Sequence, residues 1–256
     1  MENANQTQLK LHSQKIHSNL RAALKSAKAK GYVLGVSGGV DSAVVLALCA
    51  KAVGSPRVTA LLMPSSITSK KDAGDAQFLC KKFRVKSISV PIAKLAKDFA
   101  IASNKLGKST PVEKGNSCAR IRMALLYDYA RKHSYLVAGT GDKSEIMLGY
   151  FTKFGDGGVD ILPLGSLYKT EVQQLALQLG IPKPIAFKQP SPNLWKNQTA
   201  EKEIGAKYSE LDSTLKMLEK KIPLAQIKRK VSPRIVSLVL GRMKISGHKK
   251  RMPPVL

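Results

Sequence analysis

Cysteine is scarce in this sequence. Cys49, Cys80 and Cys118 are the three in 256 residues, and none forms a Cys-x-x-Cys pair. That argues against a disulfide framework and against a structural zinc site. Long apolar runs are absent too: no stretch of about 18 apolar residues marks a membrane span. The N-terminus shows no apolar run followed by a small-residue cleavage site, so a cytoplasmic protein with no membrane partner is expected. Acidic residues are few, 17 against 43 Lys and Arg, for a net charge of +26. This balance favours anionic partners. The basic residues are spread along the chain, with no dense tail or aromatic-interleaved stripe, so nucleic acid is not expected as the substrate. Nineteen glycines and 13 prolines are too few for a low-complexity class.

The length fits one α/β domain, and 43% apolar residues can fill its core. After a polar stretch at 1–8, expected to fray, Leu11, Ile16, Leu20 and Leu24 recur at roughly helical spacing up to Gly31. Tyr32 to Val36 reads as a buried strand, Asp41 to Val53 as a helix, and Arg57 to Met63 as a second strand. Ser69 to Phe83 reads as helix, Val85 to Val90 as strand and Ile92 to Asn104 as helix. A loop from Gly107 to Gly115, a helix from Asn116 to His133 and a fourth strand from Tyr135 to Gly139 follow. The alternation predicts an α/β fold: a parallel twisted sheet, helices on both faces, right-handed crossovers. Later come a loop at 155–158, a helix from Tyr168 to Leu179, an ordered loop over 182–198 and a helix from Thr199 to Leu218. A basic tail starts at Gly241 and ends in Pro-Pro-Val-Leu. No linker divides the chain. One domain over 1–256 is expected, with 1–30 as a helical extension and 241–256 as the tail.

Between the first strand and its helix stands Ser37-Gly38-Gly39-Val40-Asp41-Ser42. Glycines let backbone N–H groups approach phosphate, and the helix N-terminus adds unpaired donors and a positive dipole end. Ser37 and Ser42 can add hydroxyl donors. Asp41 would repel phosphate unless a cation intervenes, which marks it as a magnesium ligand. The G-x-x-x-x-G-K-[ST] loop is not present: Gly107-Lys108-Ser109 has its ending, but position 102 is Ala.

Four later blocks carry further chemistry. Gly115-Asn116-Ser117-Cys118-Ala119-Arg120-Ile121-Arg122 places Arg120 near Asn116 on a helix. Gly139-Thr140-Gly141-Asp142-Lys143-Ser144-Glu145 follows the fourth strand, where open α/β sheets bind ligands. Gly149-Tyr150-Phe151-Thr152-Lys153-Phe154-Gly155-Asp156 with Asp160 puts aromatics, a lysine and carboxylates in a glycine-rich loop. Pro190-Ser191-Pro192-Asn193-Leu194-Trp195 and His248-Lys249 complete the set.

The six-residue loop resembles that of the PP-loop, or N-type, ATP pyrophosphatases. Taken together, the blocks resemble the NAD synthetase family, from about residue 10 to the end. The resemblance implies adenylation of the nicotinate carboxylate of deamido-NAD by ATP, loss of pyrophosphate, then attack by ammonia to give NAD and AMP. It implies an ATP site at Gly35, Val36, Ser37, Gly38, Gly39, Val40, Asp41, Ser42, Thr140, Lys169 and Ser191. Magnesium would be held by Asp41 and Glu145. Deamido-NAD would be bound by Lys153, Asp160, His248 and Lys249, and catalysis would rest on Asp41, Lys153 and Lys169. It also implies a homodimer with the dinucleotide site at the subunit interface. Three positions depart from the family pattern: Cys118 replaces a basic residue, Ala200 an Asp, and Asp142 an Asn. The first strand begins near residue 32, which leaves no room for an N-terminal amidase domain, so free ammonia, or a separate glutaminase chain, is the expected source. The competing reading, motivated by the charge, is a tRNA-modifying PP-loop enzyme.

Overall fold

Alternation decides which face each strand residue takes. In β1 (Gly31–Gly35) Tyr32 and Leu34 join one core and Val33 the other. In β2 (Val58–Leu62) Val58, Ala60 and Leu62 side with the first core and Leu61 with the second. With β3 (Lys86–Ser89) and β4 (Tyr135–Val137) they form a four-stranded parallel sheet in the order β3-β2-β1-β4. The computed structural model describes all residues except Met1, Asn193, Leu194, Lys196, Asn197, 252–254 and Leu256, and only the backbone for 2–6. Asn193 and Leu194 of the proline-rich block, and most of the Pro-Pro-Val-Leu end, lie outside the described residues.

The first core is covered by α1 (Glu2–Ser26), α2 (Val40–Val53), α3 (Lys70–Lys82) and α7 (Lys169–Gln178). The α2 sequence is apolar on nearly every side, as a helix buried between the sheet and other helices must be. Leu20 and Leu24 of α1 pack in the same core, and Tyr32 Oη donates to the Leu20 carbonyl at 2.7 Å. On the opposite face, Leu126 and Ala130 of α5 (Pro111–His133) pack on Val33, Leu61 and Val137. The connector α4 (Ala93–Ser103) lies beside α5 and buries no residue.

A third cluster joins Leu148 of α6 (Lys143–Leu148), Ile204 of α9 (Ala200–Ile204), Leu211 and Leu215 of α10 (Tyr208–Glu219), and Ile235 and Val239 of α12 (Pro233–Ile245). Buried Asp212 ties this cluster to α7. Its carboxylate accepts from Ser144 Oγ at 2.5 Å and from the Thr170 N–H at 2.9 Å, so it fixes where α7 begins.

Several boundaries differ from expectation. The helix read from Asn116 starts at Pro111 and runs through Gly115, because Thr110 and Glu113 form a capping box with Pro111 at the first helical position. The single helix expected over 199–218 is two, α9 and α10, broken at Gly205. The loop expected over 182–198 contains the one-turn α8 (Lys183–Ala186). The stretch expected to fray at the N-terminus is helical from Glu2. Within the expected basic tail from Gly241, α12 continues to Ile245, and a 3-10 turn covers Ser246–Lys250. Between α10 and α12 lies α11 (Leu224–Lys230), anchored by buried Ile227.

Candidate active site

β1 ends at Gly35 and α2 begins at Val40, so the loop between them opens at the C-terminal end of the sheet. Two serines knit it. Ser42 Oγ accepts from the Ser37 N–H at 3.2 Å and donates to the Gly39 carbonyl at 3.0 Å, while the Gly39 N–H donates to Ser37 Oγ at 3.3 Å. Gly39 caps α2 without a side-chain bond, which leaves N-terminal donors of that helix for a ligand. Gly38 holds φ +83° and lies against α3: a Cβ there would sit 2.3 Å from the Asp72 carbonyl oxygen. Lys188 clamps the same point, donating to the Gly38 carbonyl at 2.8 Å and pairing with Asp72 at 2.9 Å and with Asp75.

Because β4 pairs with β1, the segment after β4 lies beside this loop. Asp142 caps α6, accepting from the Glu145 N–H at 2.8 Å while Glu145 reaches back to the Asp142 N–H. Lys169 opens α7 with its side chain 1% exposed. Its ammonium lies 2.7 Å from Asp41 Oδ2, 3.0 Å from Asp142 Oδ2 and 3.0 Å from Glu145 Oε1. Burial opposes a charged Lys169, but Asp142, Asp41 and Glu145 outweigh it and hold the ammonium well above the ordinary lysine range. Burial raises the Asp142 carboxyl, against the pull of Lys169 and with repulsion from Asp41, to about 6. Burial likewise raises Glu145, with Asp142 and Asp41 adding to it against Lys169. One cation among three carboxylates leaves negative charge over, and Asp41 Oδ1 is buried without a partner. The group therefore has room for another cation.

The loop, with Glu145 and Lys169, lines one cavity of about 790 Å³, within the range of small-molecule sites. Gly35, Val36, Ser37, Gly39, Val40, Asp41 and Ser42 line it, while Gly38 does not and packs against α3. Thr140, Glu145, Lys169, Ser191 and Lys249 also reach it. Ser191 Oγ donates to the Gln198 carbonyl at 2.6 Å. Lys249 donates to the Gly149 and Phe151 carbonyls at 2.9 and 2.8 Å. Besides Gly38, three expected residues lie outside the cavity. The Lys153 ammonium lies over the Phe154 ring. Asp160 accepts from the Val137 N–H at 2.7 Å and from Tyr127 Oη at 3.2 Å, closing the end of β4. His248 is exposed on the last 3-10 turn. Of the departures, Cys118 packs against the α5 core, and buried Ala200 lines the cavity.

Two groups bound to these residues were missed. Asp142 carries a legible signal, the Asp-Lys-Ser-Glu capping pattern. Lys188 carries none, since its partners lie 113 to 150 positions away in the chain.

The Gly149-to-Phe151 turn yields a direct test. Gly149 has φ +64°, and a Cβ there would lie 1.9 Å from Ser246 Cβ. Gly149→Ala is expected to push the Ser246–Lys250 turn away, cost about 2 kcal/mol and release Lys249. Steady-state kinetics should show a raised KM for the carboxylate substrate with the KM for ATP held within a few-fold.

A family model described as NAD synthase matches residues 12–253. The NH(3)-dependent NAD(+) synthetase of Staphylothermus marinus is 44% identical, over 92% of this chain and 87% of its own length. The solved structure of an NMN synthetase from Francisella tularensis superposes with a TM-score of 0.87 at 34% identity, covering 97% of this chain and 98% of that one. An NH3-dependent NAD synthetase from Campylobacter jejuni gives 0.83 at 33%, covering 97% and 99%. The loop from Ser37 to Ser42 lies at the junction of β1 and α2 beside the end of β4, and the likeness to these proteins runs nearly end to end: this chain belongs to the NAD synthase family.

Proposed function

We propose that the chain amidates deamido-NAD to NAD with ammonia, at the expense of ATP, through an NAD-adenylate. The observation that carries the chemistry is the phosphate loop joined through Asp41 to Lys169 and Glu145 inside one cavity. Backbone donors of the loop and of the α2 N-terminus bind the phosphates and neutralise charge as it shifts toward the leaving group. A nicotinate carboxylate oxygen attacks the α-phosphorus, and the bond to the β-phosphate breaks. Ammonia adds to the activated carbonyl, the C–O bond to AMP breaks, and the surplus proton passes to solvent. Lys169 positions Asp41 and Glu145 beside each other throughout.

Asp41 and Glu145 fit magnesium: both offer hard oxygen ligands, and Asp41 Oδ1 is buried and unpartnered. Among the described residues no group of three or more His, Cys, Asp or Glu side chains forms a ready metal cage. That suits an ion which keeps several waters and takes one or two carboxylates plus substrate phosphates. When bound it supplies charge neutralisation on the triphosphate.

The chain acts as a homodimer. α4 leaves Leu95 and Phe99, one turn apart on the same face, exposed, an apolar strip that calls for a cover. Lys153, Asp160 and His248 lie outside one protomer's cavity, where a second copy completes the dinucleotide site. Sedimentation is expected to show a dimer. Phe99→Asp should yield monomers with a raised KM for deamido-NAD, and a native monomer would contradict the proposal.

Kinetics test the substrate. The Francisella protein is described as an NMN synthetase, and a mononucleotide offers the same nicotinate carboxyl. Deamido-NAD is expected to give the higher kcat/KM, with ammonium and not glutamine as donor unless a glutaminase chain is added. Preference for nicotinate mononucleotide would overturn the choice of dinucleotide.

A further inference from the structure

The carboxylates gather where ATP binds: Asp41, Asp142 and Glu145 around Lys169, and Asp72 and Asp75 around Lys188. The net charge of +26 therefore does not come from the active-site end.

Topology gathers part of it at the other end. In a parallel sheet each helix that precedes a strand delivers its C-terminus to the strands' N-terminal edge. Four helices do so here, α1 before β1, α2 before β2, α3 before β3 and α5 before β4. Each ends in basic residues: Lys25 on α1, Lys51 on α2, Lys81 and Lys82 on α3, Arg131 and Lys132 on α5. All six are exposed. Hydrogen bonds knit these ends together. The Lys30 N–H donates to the Ser134 carbonyl at 2.7 Å, Arg57 Nε to the Lys30 carbonyl at 2.8 Å, and Ser55 Oγ to the Phe83 carbonyl at 2.9 Å. Arg21, Lys25, Lys28 and Arg57 line a notch of about 450 Å³ in this face, with no carboxylate among its lining residues. Along α5's last two turns Asp128 is the acid present, and it is paired with Lys132.

Compensation of the helix dipole accounts for one cation per helix end. It does not account for a notch of four cations, or for Arg84 after α3. Nor does the face suit a bilayer: Phe78, one turn before Lys82, is exposed beside it, but an interfacial anchor needs a row of such groups. It does hold rings. His133 is exposed and stacks on Tyr129 at 4.1 Å, with Tyr135 edge-on at 6.1 Å from His133, beside Arg131 and Lys132. Cations that track phosphates next to a stacking group are the elements of single-strand binding.

We propose that the face at the N-terminal edge of the sheet binds single-stranded nucleic acid through its phosphate backbone, apart from the amidation site. The nucleic acid is a bound partner there and not a substrate.

The test is fluorescence anisotropy of the whole protein with a single-stranded RNA of roughly 20 nucleotides, with salt raised from about 50 to about 200 mM. Affinity is expected to fall on the order of 100-fold, the response of five or six phosphate contacts. Lys25→Glu with Lys51→Glu and Lys82→Glu should weaken binding at least about tenfold and leave amidation unchanged. The control, Lys228→Glu with Arg229→Glu and Lys230→Glu on α11, makes the same charge change at another helix end and should stay within a few-fold. Equal loss in both variants would reduce the effect to net charge and overturn the proposal. So would displacement of the RNA by millimolar ATP, tighter binding to anionic phosphatidylserine vesicles than to RNA, or no salt dependence.

Discussion

Lys169→Met is expected to lower kcat/KM by about 100- to 1,000-fold and stability by about 3 kcal/mol. The two losses have different causes. Methionine fills the space of the stem and removes the ammonium that Asp41, Asp142 and Glu145 share. Stranded buried carboxylates are costly, though protonation relieves part of the cost: burial already raises Asp142 to about 6 and raises Glu145 as well. A fall of about 3 kcal/mol corresponds to roughly 6–12 °C in Tm for a chain of this size. Adding Asp142→Asn removes one stranded charge. The double variant should therefore recover part of the Tm and none of the activity. Recovery of activity with stability would show that Lys169 serves the fold alone.

Gly38→Ala is expected to cost about 100-fold in kcat/KM for ATP and about 1–3 kcal/mol of stability. Alanine would have to hold φ +83°, and its Cβ would lie 2.3 Å from a backbone oxygen of Asp72. No side chain can swing aside to relieve that contact, so the loop itself must shift. A displacement near 1 Å moves the donors off the phosphates. Gly39→Ala is the comparison: its φ of −88° is ordinary, and its Cβ would meet Ser37 Oγ at 3.4 Å. Thermal melts should separate the two, Gly38→Ala falling and Gly39→Ala staying near the native protein.

The α/β architecture was legible because strand alternation and strand–helix order are local. The phosphate loop was legible for the same reason, as six consecutive residues at one junction. α5 starts at Pro111 and not at the expected Asn116, although Thr110-Pro111-Val112-Glu113 announces the start; Gly115, the expected end of the loop, sits inside the helix. Lys169 was legible as a site residue but its partners were not. Asp41 is 128 positions away, and sequence spacing says nothing of a contact that the fold alone creates. Lys188 is the extreme case, bound to the loop and to α3 and marked by no motif. The charge behaves alike. Lys25, Lys51, Lys81, Lys82, Arg131 and Lys132 look scattered along the chain, and the direction of the helices brings them to one edge.

The most direct test of the account follows the phosphates. Protein, ATP, magnesium, deamido-NAD and ammonium are incubated together, and every product is quantified. Cleavage between the α- and β-phosphates predicts NAD, AMP and pyrophosphate in equal amounts. ADP and orthophosphate in place of AMP and pyrophosphate would contradict adenylation, and with it the role assigned to the loop from Ser37 to Ser42.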